Sequence, residues 1–206
     1  MDAQPRKAFI VGIAGGSASG KSTLAAALLR GLAEGQPPLR AEMVSMDRYF
    51  RTLEEGAPSF ISPTSGELRL DRNAPDSADN ARLVQDLLRR SREADAPDVI
   101  LVEGLMVLHV EAVREILDLR LFIDLDADVR ALRRMLRVRG RAPSEPLSLE
   151  RLASGINYYR ESARVGHARY VGPSAAYADL IIRGDSDIAR SAGLIGDIVR
   201  ARVGVK

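Results

Sequence analysis

The sequence predicts a three-layer α/β domain: a doubly wound parallel sheet with helices on both faces. Three observations carry that expectation. Strand-like and helix-like patterns alternate along nearly the whole chain. The segment Asp98 to Val102 is a continuous apolar run of the kind found in strands covered on both sides. A glycine-rich turn joins the first strand directly to the first helix. With 206 residues the chain makes one domain, residues 1–206, too short for two large independent ones.

Taken in order, Ala8 to Ile13 is a short apolar strand that runs into glycines. Ser22 to Ala33 is helical, with Leu24, Leu28, Leu29 and Leu32 along one face. Ala41 to Met46 is a second strand. Residues 51–77, rich in Pro, Ser, Gly and Asp, show no period and are expected to form a loop with little regular structure. A loop that long in a compact domain is usually functional. Ala78 to Ala94 is helical, Asp98 to Val102 a strand, Val110 to Leu117 a short helix and Leu119 to Ile123 a strand. Ala127 to Val138 is an arginine-rich helix, and Gly140 to Pro146 a break. Ser148 is the expected N-cap of a helix to Arg164. Asp179 to Ile182 and Asp187 to Val203 complete the pattern as a strand and a helix. The two excursions from this frame are 51–77 and 130–147.

Composition narrows the classes. No apolar run reaches the roughly 18 residues of a membrane span, and Met1 to Lys7 has no signal-peptide character. A soluble, cytoplasmic protein without membrane attachment is expected. The absence of cysteine removes disulfides, thiolate metal sites and a cysteine nucleophile, and two histidines, His109 and His167, are too few for a His-rich metal site. The net charge of +2 hides an uneven distribution. Lysine supplies three of the 30 basic residues, Lys7, Lys21 and Lys206, and arginine the rest. Arg130, Arg133, Arg134, Arg137, Arg139 and Arg141 fall in one segment without an acid, so the remainder of the chain is net acidic. A concentrated arginine patch suits phosphate, whose oxygens the guanidinium fork binds in pairs. Nucleic-acid binding fits less well, since aromatics are only 4% and no stacking motif accompanies the arginines.

Gly15-Gly16-Ser17-Ala18-Ser19-Gly20-Lys21-Ser22 matches G-x-x-x-x-G-K-[ST] between a strand and a helix. Glycines let successive backbone N–H groups turn inward as an anion nest, and the helix N-terminus adds partial positive charge. Lys21 would reach the β- and γ-phosphates and Ser22 would take a magnesium position, with Thr23 beside it. The motif predicts a nucleoside triphosphate site. Ligands of open α/β sheets sit beyond the carboxyl ends of the strands, and three acids follow strands there: Asp47, Glu103 and Asp124. Glu103 is placed to join the magnesium shell opposite Ser22. Asp47 is placed to accept a proton from an attacking hydroxyl or to help hold the metal. Asp124 reads better as a cap for the arginine helix. Arg130, Arg133, Arg134 and Arg137 share a helix face at three- and four-residue spacing, while Arg139 and Arg141 flank Gly140, so a phosphate-clamping lid is expected at 130–147. His109 and His167 receive no role. Tyr158, Tyr159 and Tyr170 fit either base stacking or core packing.

In order and spacing these motifs, with Ser45-Met46-Asp47-Arg48-Tyr49-Phe50, Val99-Ile100-Leu101-Val102-Glu103-Gly104, Phe122 to Arg130, Arg139-Gly140-Arg141 and Tyr177 to Ile182, resemble the uridine kinase and phosphoribulokinase family of P-loop kinases along nearly the whole chain. The resemblance implies the P-loop nucleoside triphosphate hydrolase fold with a short lid, ATP and Mg²⁺ as cofactors, and phosphoryl transfer to a small-molecule acceptor. It implies Asp47 as the base on the acceptor hydroxyl and Glu103 as a magnesium-shell acid. Arg134 and Arg137 would clamp acceptor and phosphate, Arg139 and Arg141 would close over ATP, and Asp71 would hold ribose hydroxyls. Two departures bear on specificity. The family's pyrimidine-contacting β-hairpin, between the helix at 78–94 and the strand at 98–102, has no room in Arg92 to Pro97, and the lid is about three residues shorter. Ala142 to Pro146 and Tyr158-Tyr159-Arg160 are similar to nicotinamide riboside kinases of the same superfamily. The expected activity is ATP-dependent phosphorylation of a hydroxyl on a small ribosyl-type acceptor. Another small alcohol, sugar or sugar phosphate, or an ATP-driven switch acting on a partner, stand as alternatives. A homo-oligomer is compatible with the sequence.

Overall fold

The computed structural model describes residues 8–136 and 148–204. Five parallel strands form the main sheet: β1 (Phe9–Gly15), β2 (Ala41–Ser45), β5 (Val99–Glu103), β6 (Leu119–Asp124) and β7 (Leu180–Arg183), in the order β2-β5-β1-β6-β7. The predicted fold class is the observed one. Strand β1 lies at the centre, paired in parallel with β5 (Phe9 against Val99) and with β6 (Val11 against Leu119). Its connection leads out to the β2 edge, whereas those of β5 and β6 lead the other way, which opens a crevice beyond its carboxyl end.

The period of two along β1 separates the two halves of the core. Ile10 and Ala14 face one side with Ile100, Val102, Leu83, Leu87 and Leu108. Val11 and Ile13 face the other with Leu101, Leu121, Leu24, Leu28 and Val199. Helices α1 (Lys21–Glu34) and α7 (Ile188–Gly204) cover the second side, and α2 (Asn80–Arg90) with the short α3 (Glu111–Arg114) cover the first. The side chains of Ile10, Ile13 and Ile100 are fully buried, which explains why β1 and β5 read as apolar runs.

A repeated aspartate sets the register at the amino ends of the strands. Asp98, Asp118 and Asp179 each precede a strand, and each exchanges two hydrogen bonds with one residue of the neighbouring segment. The Asp118 N–H donates to the Ile10 carbonyl and the Ile10 N–H donates to Asp118 Oδ2, both at 2.8 Å. Asp98 does the same with Arg40, and Asp179 with Arg120. The first ladder bond thus gains a side-chain acceptor that apolar residues could not supply. Asp118→Ala leaves the Ile10 N–H without its acceptor in the centre of the sheet and should cost about 1–3 kcal/mol. Urea unfolding checks this, and a loss below about 0.5 kcal/mol would show that water replaces the carboxylate.

Residues 51–77 differ from the loop expected. They carry an antiparallel hairpin, β3 (Ser59–Ile61) with β4 (Leu68–Leu70), which pairs Phe60 with Arg69. Each strand is three residues long, too short to show a period, so sequence pattern alone could not reveal them. The hairpin is fastened from afar: Glu161 accepts from Ser62 Oγ at 2.8 Å and from Thr64 Oγ1 at 2.6 Å, which holds its carboxyl below the usual carboxylate range.

Helix α2 is shorter than expected, starting at Asn80 with Asp79 Oδ1 accepting from the Arg82 N–H at 3.0 Å. From Ser91 to Asp98 the chain makes only turns and bends. Helix α4 spans Ala127–Leu136, and α5 (Leu149–Tyr158) starts at the predicted cap, Ser148, whose hydroxyl accepts from the Arg151 N–H. The helix does not stop at Arg164. It continues through a π turn (Tyr159–Ala163), a short α6 (Arg164–Gly166) and a second π turn (His167–Val171). Such turns recur at functional sites. No helix among the described residues is long and apolar enough to cross a membrane.

Candidate active site

The glycine-rich turn closes around an anion-sized nest at the end of β1. Gly15 has φ +144° and Gly20, the residue before α1, φ +112°, both outside the range of ordinary side chains. Ala18 is also left-handed at φ 65°, a conformation that costs on the order of 1 kcal/mol in a residue with a Cβ. Gly16 lies tightly against Arg130. A Cβ there would stand 2.5 Å from Arg130 Nη1, because that guanidinium packs against the turn. Lys21 is 9% exposed, and its Nζ donates to the Gly16 carbonyl at 3.0 Å.

Glu103, at the end of β5 and 7% exposed, ties three elements together. Ser22 Oγ of α1 donates to its Oε2 at 3.3 Å, and Ser45 Oγ at the end of β2 donates to its Oε1 at 2.6 Å. The structure thus brings Glu103 and Ser22 together, and adds Ser45, which sequence reasoning missed. A hydroxyl and a carboxylate are hard oxygen donors of the kind that Mg²⁺ takes while keeping most of its water. Ser22 and Glu103 fit that ion. Among the described residues no group of three or more His, Cys, Asp or Glu clusters as a metal cage. Asp47 stands in a turn of 3₁₀ helix (Met46–Tyr49) just past β2, with its N–H directed to Ser45 Oγ at 3.4 Å and its side chain exposed to the cavity.

That cavity, of about 830 Å³, extends from Lys21 and Ser22 past Asp47 and Glu103 to the hairpin and α5. Arg134 lies at its P-loop end, where Nη1 donates to Ser17 Oγ at 2.8 Å and the guanidinium lies 5.4 Å from the Tyr158 ring centre. The Tyr158 hydroxyl is occupied. It donates to the Leu70 carbonyl at 3.1 Å and accepts from the Arg72 N–H at 3.2 Å, pinning the return of the hairpin to α5.

The arginine-rich helix does not present one uniform face. Arg130 turns inward, 5% exposed, with Nε donating to the Leu125 carbonyl at 2.9 Å, and burial pulls its pKa below the usual guanidinium value. Arg133 donates to the Gly184 carbonyl at 3.1 Å. Only Arg134 of the described arginines on α4 lines the cavity. Residues 130–136 of the expected lid segment belong to this helix. Arg137, Arg139 and Arg141, with the rest of the expected lid to 147, lie outside the described residues. Asp71 does not stand free at the acceptor end. Its Oδ1 accepts from Ser162 Oγ at 2.7 Å and from the Asn73 N–H at 3.0 Å, and Leu70, Arg72 and Asn73 form the cavity wall beside it. Asp124 lies within electrostatic reach of Arg130 and His167. Burial, reinforced by Arg130, holds His167 at about 4, so its imidazole is neutral near pH 7.

A parallel sheet whose central strand runs into this lysine-and-serine nest, faced by a carboxylate from the neighbouring strand, defines an ATP-binding P-loop protein. The profile of the phosphoribulokinase / uridine kinase family matches residues 76–189. Curated uridine kinases of Clostridium botulinum (strain Okra / Type B1) and Alkaliphilus metalliredigens (strain QYMF) are each 31% identical over 201 residues; the alignments cover 86% and 88% of this chain and 88% and 90% of theirs. The chain belongs to the phosphoribulokinase / uridine kinase family and is an ATP-dependent kinase. Among solved structures, a putative fructose transport system kinase from Silicibacter sp. TM1040 shares the fold, with TM-score 0.50 and 18% identity over 88% of this chain and 93% of that one.

Proposed function

We propose that this kinase transfers the γ-phosphoryl group of ATP to a hydroxyl of a small ribosyl-type acceptor, with Mg²⁺ held at Ser22 and Glu103. The observation that supports this most is the single cavity in which Asp47 stands between the P-loop and a wall of hairpin and α5 residues. An acceptor lodged against that wall would present its hydroxyl to the carboxylate and to the phosphate end at once. Such positioning is where most of the rate of a phosphoryl transfer arises. Bound Mg²⁺ supplies charge neutralisation of the phosphates. Lys21 and Arg134 hold the transferred group from the P-loop side, Asp47 takes the hydroxyl proton, and the backbone N–H groups of Gly15 to Ser22 and Thr23 cradle the phosphates. Arg137 adds to the clamp, Arg139 and Arg141 close over the nucleotide, and Asp71 orders the hairpin return that borders the acceptor.

The reading is tested by ADP release. The protein with Mg·ATP alone should turn over slowly and accelerate sharply when its acceptor is added. Brisk ATP hydrolysis that no small hydroxyl compound changes, but a protein partner does, would instead make it a switch.

A further inference from the structure

Ser45 ends β2 beside the site but outside the cavity: Ser22, Asp47 and Glu103 line it, and Ser45 stands behind them. Strands β2 and β5 run parallel with Ser45 in register against Glu103. Residues so paired project from the same face of the sheet, on strands about 4.8 Å apart. The Ser45 hydroxyl donates to Glu103 Oε1 at 2.6 Å, within the short range of a charge-assisted O–H···O⁻ bond. Its oxygen also receives the Asp47 N–H at 3.4 Å. A hydroxyl has one proton and two lone pairs, so a backbone donor on one side leaves the proton for the carboxylate on the other.

The two oxygens of Glu103 are unequally held. Oε2 is met by Ser22 Oγ at 3.3 Å, a long contact, and Oε1 by Ser45 Oγ at 2.6 Å. The terminal torsion of a glutamate is broad and has no sharp staggered wells. A short bond on Oε1 therefore fixes the plane of the carboxylate and the direction of Oε2, without occupying the oxygen that faces Ser22. Mg²⁺ demands near-octahedral geometry and takes few protein ligands, so each must arrive at the right angle. Partners that orient a ligating side chain are worth about 10–100-fold in metal affinity.

We propose that Ser45 is a positioning residue for the divalent cation of this kinase, holding Glu103 so that Oε2 and Ser22 Oγ form the protein's share of the magnesium shell. This rests on the reading of Ser22 and Glu103 as the magnesium side of the site and adds the residue that sets their geometry. The same hydroxyl ties the turn that carries Asp47 to that carboxylate, so the base and the cation side share one anchor.

The probe is Mn²⁺, followed by electron paramagnetic resonance in the complex with ADP. Ser45→Ala should weaken Mn²⁺ binding about tenfold or more, and raise by a similar factor the Mg²⁺ concentration that gives half-maximal kcat. ADP affinity in EDTA, by calorimetry, should be unchanged, since Ser45 lies outside the cavity. Ser45→Thr, which keeps the hydroxyl and suits a strand, should restore Mn²⁺ binding. Ser45→Cys, similar in size but a weak donor, gives a second variant should Ser45→Ala fold poorly. In a Glu103→Gln background Ser45→Ala should add less than about twofold, as expected of residues that act as one unit. Unchanged Mn²⁺ affinity in Ser45→Ala, with that of Glu103→Gln weakened, would overturn the positioning role and leave the magnesium reading of Glu103 standing. Unchanged affinity in Glu103→Gln as well would overturn both. A loss of Mn²⁺ affinity matched by an equal loss of metal-free ADP affinity would make Ser45 structural only, as would failure of Ser45→Thr to restore binding.

Discussion

Asp47→Asn is expected to lower kcat toward the true acceptor by roughly 10²–10⁴-fold, the contribution of a positioned general base. Asparagine keeps the size of the side chain but can neither accept the hydroxyl proton nor attract it by charge. The backbone at this position is secured independently of the carboxylate, since the Asp47 N–H is directed to Ser45 Oγ and the turn is closed by Phe50 N–H to the Asp47 carbonyl. The variant should therefore fold, and ATP affinity by calorimetry should be nearly unchanged. A fall in kcat of less than ~10-fold, with ATP still bound, would remove Asp47 from the role of base. The solvent-exposed cavity would then supply water in its place.

Lys21→Met should produce the second large effect. Loss of the ammonium from the P-loop is expected to reduce kcat/KM by roughly 10²–10³-fold, because the charge that stabilises the transferred phosphoryl group is gone. The unliganded protein should still fold, and the effect is read in nucleotide binding. A nearly buried ammonium costs desolvation, and its Nζ donates to the carbonyl of Gly16. Methionine fills the same volume without that cost. ATP should then raise the melting temperature of the parent protein far more than that of the variant, since stabilisation follows ligand affinity. Equal ATP-induced shifts would mean that Lys21 does not touch the phosphates.

Much of this site was legible because its chemistry is local. The P-loop spans eight consecutive residues, Gly15 to Ser22, and its glycines are required by backbone geometry that sequence displays directly. Strands β1, β5 and β6 were legible for the same kind of reason, since burial on both faces makes nearly every position along them apolar. The acid at each strand end could be picked out once the strands were placed. What each acid touches could not be. Glu103 meets Ser22 and Ser45 across 81 and 58 residues, and only the parallel order of three strands brings those positions together.

The far side of the cavity was barely legible. The hairpin strands are too short to show alternation, and their anchor, Glu161, lies almost a hundred residues away. Nothing in their local pattern singled out Arg69, Arg72 or Arg151. The arginine helix shows the other limit. Helical spacing places Arg130, Arg133, Arg134 and Arg137 on one stripe, but a side chain six atoms long can turn inward or outward from the same position. Arg130 folds under Gly16 while Arg134 reaches Ser17.

The sequence alone determined the fold class, the nucleotide cradle and the acids that could serve it, because periodic burial and backbone-dictated glycines are written in neighbouring residues. Tertiary structure decided which side chains share the cavity, what fastens the hairpin over it, and that its wall of hairpin and α5 carries three arginines. Those properties arise from contacts between residues distant in the chain, which packing brings together and local pattern does not record.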